Sequence, residues 1–397
     1  MLSYLRRERI LCLLLFATVP INAVLELPNA VLSLLFISVF FYYYILDWRF
    51  RKIAKSLPCI LWLALNIYHY SNGLIKHVPE INYIDFLHGF KTYASMCICC
   101  FWGCLSFKKA IRDLTLSFFV KILFIIIFGG AIIGMTERLS GTGYSATGVG
   151  QCASQCGILF AYLYAIRSIN KKQAALLYVI PTIIVMLSQS RNSLATLLIS
   201  FVLFYLIDLA GKRYHFNIKD LIIVLVIGSS VFISMDFFEE TAFAQRIERV
   251  QETYEEGRML QNYGTGTIFD VIVGDRLVYY VRGWEFFMKN PLTGIGIRNY
   301  LYMSDGIYPL HSEYMIHICE GGLVAVFIWI LFHYQVIRLW FKCSQVKAVK
   351  LVAIGSLVII LFCGIYAREF YGEHFYCFYG LIMSLYYRKK WFGKNYL

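Results

Sequence analysis

The chain has 397 residues, of which 59% are apolar and 15% charged, and its mean hydropathy is +0.63. A soluble domain is roughly half apolar and about a quarter charged, so this composition excludes an ordinary soluble protein and favours an integral membrane protein. The net charge of +13 does not indicate nucleic-acid binding. The cations lie in short clusters between apolar runs, where they set the orientation of membrane helices.

The twelve cysteines predict neither a disulfide framework nor a metal centre. Most of them lie inside apolar runs, where a thiol packs as a small hydrophobic group. Cys97, Cys99 and Cys100 are close enough in sequence for a zinc site, but no histidine or second Cys-x-x-Cys accompanies them. We therefore expect no metal and no cofactor.

The apolar runs predict an all-α integral membrane protein with twelve transmembrane helices. A basic amino terminus precedes the first run without a small-residue cleavage site after it, so we expect a retained first helix rather than a signal peptide. The predicted spans are 10–26, 29–46, 56–75, 93–107, 114–135, 149–166, 174–188, 193–210, 221–235, 315–337, 351–367 and 373–387.

The distribution of lysine and arginine predicts that both termini are cytoplasmic. Cytoplasmic connections of membrane proteins are rich in these residues, and 24 of the 37 cations occur in alternate connections of this chain. The chain then divides into helices 1–9 (1–235), a long outer loop (236–314), and helices 10–12 with a cytoplasmic tail (315–397). The connections assigned to the inner side are 1–9, 47–55, 108–113, 167–173, 211–220, 338–350 and 388–397.

The outer loop is the only long polar segment, and its side of the membrane limits the chemistry. No nucleotide is available there, so a catalyst must use a substrate that is already activated. The sequence pattern predicts an amphipathic helix from Glu239 to Glu256. It predicts a second helix that begins after the N-cap Asp275 and ends before the helix breaker Pro291. With its borders the loop carries seven cations: Arg246, Arg249, Arg258, Arg276, Arg282, Lys289 and Arg298.

The second loop helix places aromatic side chains beside a cation. Arg276, Tyr279, Tyr280, Gly283 and Phe287 follow helical spacing and share one face. One cation among aromatic rings on a membrane-facing surface would suit a lipid-linked anion.

Arg191 lies in a very short outer hairpin between two apolar runs. An arginine near the hydrocarbon edge is costly and needs a partner. It is either a snorkelling or helix-capping side chain, or an anion clamp whose guanidinium binds phosphate oxygens bidentately. Arg138, Arg276 and Arg282 are comparable candidates, although loop arginines are usually solvated.

His311 is the candidate proton acceptor at the outer end of the tenth span. A lone histidine is more often structural, but this one lies beside Glu313 and can take a proton at neutral pH. Glu313 could orient the histidine or bind substrate. Glu320 is expected to pair with an arginine, because an unpaired carboxylate within a span would be costly.

These motifs, in this order, resemble the O-antigen ligase and polymerase superfamily of bacterial surface-glycan enzymes. The likeness covers roughly 130–340. Many members have His-Asn where this chain has His311-Ser312, and Tyr280 stands where an Arg-x-x-x-Leu motif has leucine, so the branch of the superfamily stays open. The matching features are Ser190-Arg191, the run from Arg276 through Trp284 to Pro291-Leu292-Thr293-Gly294-Ile295-Gly296, His311 followed after ten residues by Gly322, and Arg138-Leu139-Ser140-Gly141.

The resemblance implies a metal-independent, inverting membrane glycosyltransferase of the GT-C type in the bacterial inner membrane, with a periplasmic active site. The implied donor is a glycan on undecaprenyl diphosphate. The implied acceptor is lipid A-core for a ligase, or another lipid-linked repeat for a polymerase, and membrane lipid surrounds both.

The resemblance also implies a role for each candidate residue. Arg191 and Arg276 would stabilise the diphosphate leaving group, and His311 would take the acceptor proton or orient the acceptor. Substrate contacts fall to Arg138, Arg282, Glu313 and Tyr280, and a structural motif to Pro291, Gly294, Gly296 and Gly322.

Two other classes of protein remain as alternatives. A lipid-linked oligosaccharide flippase would also span the membrane many times, but it usually shows two related halves with broken helices, which this sequence lacks. A structural scaffold is favoured only if the loop arginines and His311 are freely replaceable.

Overall fold

The structure, a computed structural model, describes residues 29–78, 81, 83–128, 146–188, 191–211, 276–304, 310, 312–343, 347–366 and 373–393. The predicted spans 10–26 and 221–235 and the predicted helix at Glu239 to Glu256 lie outside these residues. The described part of the chain contains helices and no strand, which confirms the all-α class.

The described helices follow the apolar runs of the sequence, and a short π-helix lies at Ile316–Glu320. They are α1 (Asn29–Leu46), α2 (Trp48–Ala54), α3 (Leu57–Ile75), α4 (Tyr83–Phe128), α5 (Ala146–Ala165), α6 (Lys171–Ser188), α7 (Arg191–Gly211), α8 (Arg276–Lys289), α9 (Asn299–Met303), α10 (Glu313–Met315), α11 (Gly322–Lys342), α12 (Lys347–Tyr366) and α13 (Glu373–Phe392).

Three described segments are long and apolar enough to cross a bilayer: Asp85–Val120, Gly322–Lys342 and Lys347–Gly364. Ser33–Leu46 and Thr196–Ile207 are shorter apolar helices. Most predicted spans thus coincide with helices, whereas the number of twelve crossings and the sides of the connections stay predictions.

The fourth and fifth predicted spans correspond to two helices within α4 that meet at a kink. Residues 108–113, predicted as the connection between them, are helical and belong to the second of the two. The interruption lies earlier, at Ser106, whose backbone is non-helical with φ −156° and ψ 87°.

The two arms of α4 run in opposite directions along α13. Before the bend, a Cβ at Gly380 of α13 would lie 2.6 Å from the Met96 carbonyl oxygen, and farther along the Cys104 carbonyl oxygen accepts a hydrogen bond from Arg388, near the end of α13, at 3.1 Å. After the bend, Phe118 packs against Phe378, near the start of α13, with ring centroids 6.4 Å apart. Residues 378 and 388 are about 15 Å apart along a helix. The chain therefore reverses its direction at Ser106. Two predicted spans in succession would also run in opposite directions.

Residues 312–322 precede α11 and contact α3, α8 and α12. Trp62 of α3 joins this region to the neighbouring helices, with ring centroids 5.1 Å from Phe332 of α11 and 4.6 Å from Tyr376 of α13. The side chains of Ser312, Glu313 and His317 are buried among these helices. The cysteine side chains that the structure describes are buried and form no disulfide, as the apolar runs predicted.

Candidate functional site

Helix α8 has the bounds that its sequence predicts, from Arg276 to Lys289, and ends before Pro291. Its predicted aromatic face packs against the protein, so the expectation of a membrane-facing surface was wrong for the described residues. Gly283 permits this approach, since a Cβ there would lie 2.5 Å from the terminal methyl of Met315. Phe287 is buried on the same face, while the Tyr280 hydroxyl donates to Ser312 Oγ at 3.2 Å.

The turn after α8 is bound to the end of the π-helix through its backbone. Gly294 has φ +67° and Gly296 has φ +95°, a region that favours glycine. The N–H of Ile295 donates to the Cys319 carbonyl at 3.0 Å, and that of Gly296 to the Glu320 carbonyl at 2.9 Å. The turn thus satisfies two carbonyls at the point where the π-helix ends.

Gly322 completes this contact from the other side. Its φ is +67°, and a Cβ on it would collide with Gly294 N and would lie 2.6 Å from the Leu292 carbonyl oxygen. The following amide, Leu323 N–H, donates to the Pro291 carbonyl at 2.9 Å. The residues predicted as a structural motif therefore meet in one close backbone contact.

Helix α3 holds the same region through two polar side chains. The Tyr68 hydroxyl donates to the Gly321 carbonyl at 2.9 Å and lies 3.3 Å from the Thr293 carbonyl oxygen. Asn72 Nδ2 donates to the Thr293 carbonyl at 2.6 Å and to the Glu320 carbonyl at 3.3 Å. The turn, the π-helix and α3 thereby form one hydrogen-bonded unit.

A buried chain of ionisable groups crosses this unit. His69 Nε2 of α3 lies 2.9 Å from His317 Nδ1 of the π-helix, and His317 Nε2 lies 3.1 Å from Glu313 Oε1. The side chains are almost fully inaccessible, with exposed fractions of 0%, 1% and 6% respectively. Ionisable groups at such depth are costly unless they bond to one another.

The donors of this chain follow from the charge of Glu313. An ionised carboxylate only accepts, so His317 Nε2 then donates to Glu313. The Nδ1 of a neutral His317 is in that case an acceptor, and His69 Nε2 donates to it. With Glu313 protonated the directions reverse, because a carboxyl O–H donates to His317 Nε2.

A small cavity borders Glu313 and has room for a water molecule. Aromatic rings form much of its wall, among them Trp62, Trp329 and Tyr376. Trp329 also packs beside His317, with 5.4 Å between ring centroids. Glu313 therefore has both His317 and an aromatic cavity as neighbours.

The predicted arginines occupy different positions relative to the described structure. Arg191 and Arg276 are the first residues of α7 and α8, and only their backbone belongs to the described structure. Arg282 is half-buried on α8. Arg298, another loop cation, pairs with Asp85 of α4 at 3.1 Å. His311 and Arg138 lie outside the described residues.

Sequence reasoning missed His69 and His317. Both lie in apolar runs that were interpreted as spans, where a histidine is itself a sign of function. The spacing of Glu313 and His317, four residues apart, also indicates contact on one helix face. Their link to His69 could not be found from spacing, because 248 residues separate the two histidines. Within the described ranges no cluster of three or more His, Cys, Asp or Glu residues is suited to hold a metal ion.

Comparison with known proteins finds a match to the O-antigen ligase family model over residues 176–330, and no match to a curated protein. The matched range includes Arg191, Arg276, the turn at 291–296 and His311, and excludes Arg138 and His69. It supports the resemblance that the sequence motifs indicate. Over residues 176–330 the chain is therefore similar to the O-antigen ligase family.

Proposed function

We propose that the protein is a metal-independent, inverting glycosyltransferase that moves a glycan from undecaprenyl diphosphate to a sugar hydroxyl. The acceptor is lipid A-core for a ligase or another lipid-linked repeat for a polymerase. The observation that carries the proposal is the O-antigen ligase match, because it covers the candidate residues from α7 to α11.

The leaving group of such a reaction is a lipid diphosphate, whose negative charge grows as the sugar bond breaks. Arg191 and Arg276 are proposed to stabilise that charge, with Arg282 or Arg138 in support. The first two each begin a helix, where unpaired N–H groups add positive potential. Fixed cations and helix ends can do this without a metal ion.

The acceptor hydroxyl must lose its proton as it attacks the anomeric carbon. His311 is proposed to take that proton, or to orient the hydroxyl, on the outer side of the inner membrane. Glu313 and Tyr280 are proposed to contact the substrate or orient the histidine. The contact of Tyr280 with Ser312 supports this, because Ser312 directly follows His311 in the chain.

The test is a transfer assay with purified protein in detergent, with glycan on undecaprenyl diphosphate as donor and a chelator present. We expect a longer glycan product on lipid A-core or on a second lipid-linked repeat, and the productive acceptor identifies ligase or polymerase. His311→Gln should reduce the rate by about 10²–10⁴ while donor binding is retained.

The control is His77→Gln, which changes an exposed histidine after α3 and should transfer at the parental rate. Absence of transfer to either acceptor, together with movement of the lipid-linked glycan across vesicle membranes, would establish a transporter instead. A His311→Gln protein within a few-fold of the parent would remove the histidine from the proposed mechanism.

A further inference from the structure

Glu313, His317 and His69 form a continuous chain of ionisable groups with no apolar residue between them. We propose that these three side chains share protons and hold the proton that the acceptor hydroxyl releases during glycosyl transfer. This role rests on the function proposed above. His317 and His69 act in it as positioning and proton-holding residues, since neither is placed against substrate.

The chemistry of the three groups suits proton sharing better than packing. Apolar side chains would fill the same space without the cost of burying polar groups. Each imidazole has two ring nitrogens, and His317 uses both, one toward Glu313 and one toward His69. The chain can therefore exist with either hydrogen-bond direction, and one added proton can lie on any of the three side chains.

The π-helix sets the position of this chain. Its i→i+5 hydrogen bond, from Gly321 N–H to the Ile316 carbonyl at 3.1 Å, introduces one extra residue before α11. One residue corresponds to about 100° of rotation around a helix axis. The insertion thus sets the direction in which Glu313 and His317 point relative to α11. Short π-helices of this kind are frequent at functional sites.

Glu313 is the end of the chain that can exchange a proton with the site. Glu313 borders the cavity that has room for a water molecule. Its neighbour Ser312 accepts from Tyr280 of α8 and donates to the Gly364 carbonyl of α12 at 3.3 Å. The carboxylate is therefore held between the loop helix and the buried histidines.

The proposed step is balanced in atoms and charge. The acceptor oxygen forms a bond to the anomeric carbon, and the bond from that carbon to the diphosphate oxygen breaks with its electron pair on the diphosphate. The hydroxyl proton passes to the Glu313–His317–His69 chain, directly or through His311. The chain changes from one negative charge to neutral and later returns the proton to water.

His333 provides a matched control because it is a buried histidine outside the chain. Its Nδ1 donates to the Trp329 carbonyl at 2.9 Å, and its Nε2 accepts from the Tyr379 hydroxyl at 2.6 Å. Since a carbonyl never donates, Nδ1 of His333 keeps its proton. This histidine has one fixed hydrogen-bond direction and should not take part in proton sharing.

The first test needs no substrate. Full-length protein with ¹⁵N-labelled histidine is compared with Glu313→Gln by NMR in detergent, with resonances assigned from single histidine variants. Shared protons should make the Glu313 change shift the ring nitrogens of both His317 and His69 strongly. Those of His333, which packs on the same Trp329 ring as His317, should shift much less. Resonances of His69 that do not respond to Glu313→Gln would overturn proton sharing.

The second test measures transfer by His317→Gln, His69→Gln and His333→Gln. Glutamine keeps a donor and an acceptor but cannot hold an extra proton. We expect His317→Gln to lower kcat about 10²-fold with donor KM within twofold, a smaller loss for His69→Gln, and none for His333→Gln. The solvent deuterium isotope effect on kcat should change for the first two variants only.

The outcomes separate the two proposals. If the parent transfers glycan and His317→Gln matches its kcat, the proton-holding role is overturned and the glycosyltransferase function stands. An equal loss in His333→Gln would also overturn it, because that variant leaves the chain intact. If the parent transfers nothing, the proposed function and the source of the proton both fail, and the NMR comparison still decides whether the chain shares protons.

Discussion

Gly322 and Gly393 share a backbone constraint in different surroundings. Both have positive φ, +67° and +76°, so an L side chain is strained at either position by about 1–2 kcal/mol. A Cβ at Gly322 would also meet backbone atoms of Gly294 and Leu292, whereas a Cβ at Gly393 would meet nothing within 4 Å. A comparison of the two glycines therefore distinguishes the cost of backbone strain, present at both, from the cost of steric overlap, present only at Gly322.

We predict that Gly322→Ala destabilises the protein by about 1–3 kcal/mol more than Gly393→Ala, because overpacking adds to the strain. Thermal unfolding of the purified variants in detergent measures the difference. Equal midpoints for the two variants would mean that the contact between the turn and α11 is not as close as described.

The second prediction for single residues concerns the replacement of Arg191 and Arg276 by lysine. Lysine keeps the charge of Arg191 or Arg276 but cannot form two parallel hydrogen bonds to phosphate oxygens. Arg191→Lys and Arg276→Lys should each lower the transfer rate by roughly 10²–10³. Lys52→Ala, an exposed change on α2, should have no effect. A double lysine variant with the parental rate would exclude the clamp.

Single residues differ in how well the sequence predicts them. Gly294, Gly296 and Gly322 were found because glycines beside a proline turn at the start of an apolar run have few other uses. The partners of His317 could not be found, because burial and a contact with α3 depend on tertiary packing that no local spacing encodes.

Helix α3 holds the turn and the π-helix together through hydrogen bonds, although its sequence is that of an ordinary apolar span. Tyr68 and Asn72 both reach the Thr293 carbonyl oxygen. Removal of one donor leaves the other in place, so the two should compensate for each other. Buried carbonyls that lose all partners cost about 1–3 kcal/mol.

We predict that Tyr68→Phe and Asn72→Ala are non-additive, with a coupling free energy of at least about 0.5 kcal/mol. Unfolding of the two single variants and the double variant in detergent gives this value. Tyr178→Phe is the matched control, because its hydroxyl bonds to the Gly157 carbonyl of α5 at 2.6 Å, away from the turn. Tyr178→Phe combined with Asn72→Ala should be additive. If Tyr68→Phe and Asn72→Ala were additive as well, the two side chains would not share the turn as a common partner.

Helix positions were predictable where an apolar run alone decides them. The bounds of α1, for example, are those of the predicted span 29–46. Two features were not predictable. The chain reverses at Ser106, a residue without glycine or proline character, and the aromatic face of α8 turns inward because Gly283 fits against Met315. Both depend on packing between elements.

At the scale of the whole molecule, the match to the O-antigen ligase family covers residues 176–330. His69, one of the three hydrogen-bonded ionisable side chains, comes from α3, which precedes that range. The proposed catalytic region is thus completed by a helix that the family match does not include. The fold class and the similarity to the O-antigen ligase family followed from composition and motif order, whereas the contact between α3 and residues 312–322 required the structure.

The last prediction concerns the sides of the membrane. Three predicted spans, 174–188, 193–210 and 221–235, separate Lys172 from Leu292, so the two residues should face opposite sides. Both are exposed, Leu292 to 63%, and a cysteine at either position should react with a maleimide that reaches it. Native cysteines of the described chain are buried, and the parent protein measures any background labelling.

In intact cells whose outer membrane has been opened, a membrane-impermeant maleimide should label Leu292→Cys and leave Lys172→Cys unlabelled. Detergent should then make Lys172→Cys reactive, which shows that the site was protected by its side of the membrane and not by burial. Labelling of both variants in intact cells would mean an even number of crossings between them. One of the three predicted spans would then be wrong, with Lys172 on the outer side. Protection of Leu292→Cys in intact cells, with labelling only after detergent, would instead place the candidate arginines of α8 on the inner side.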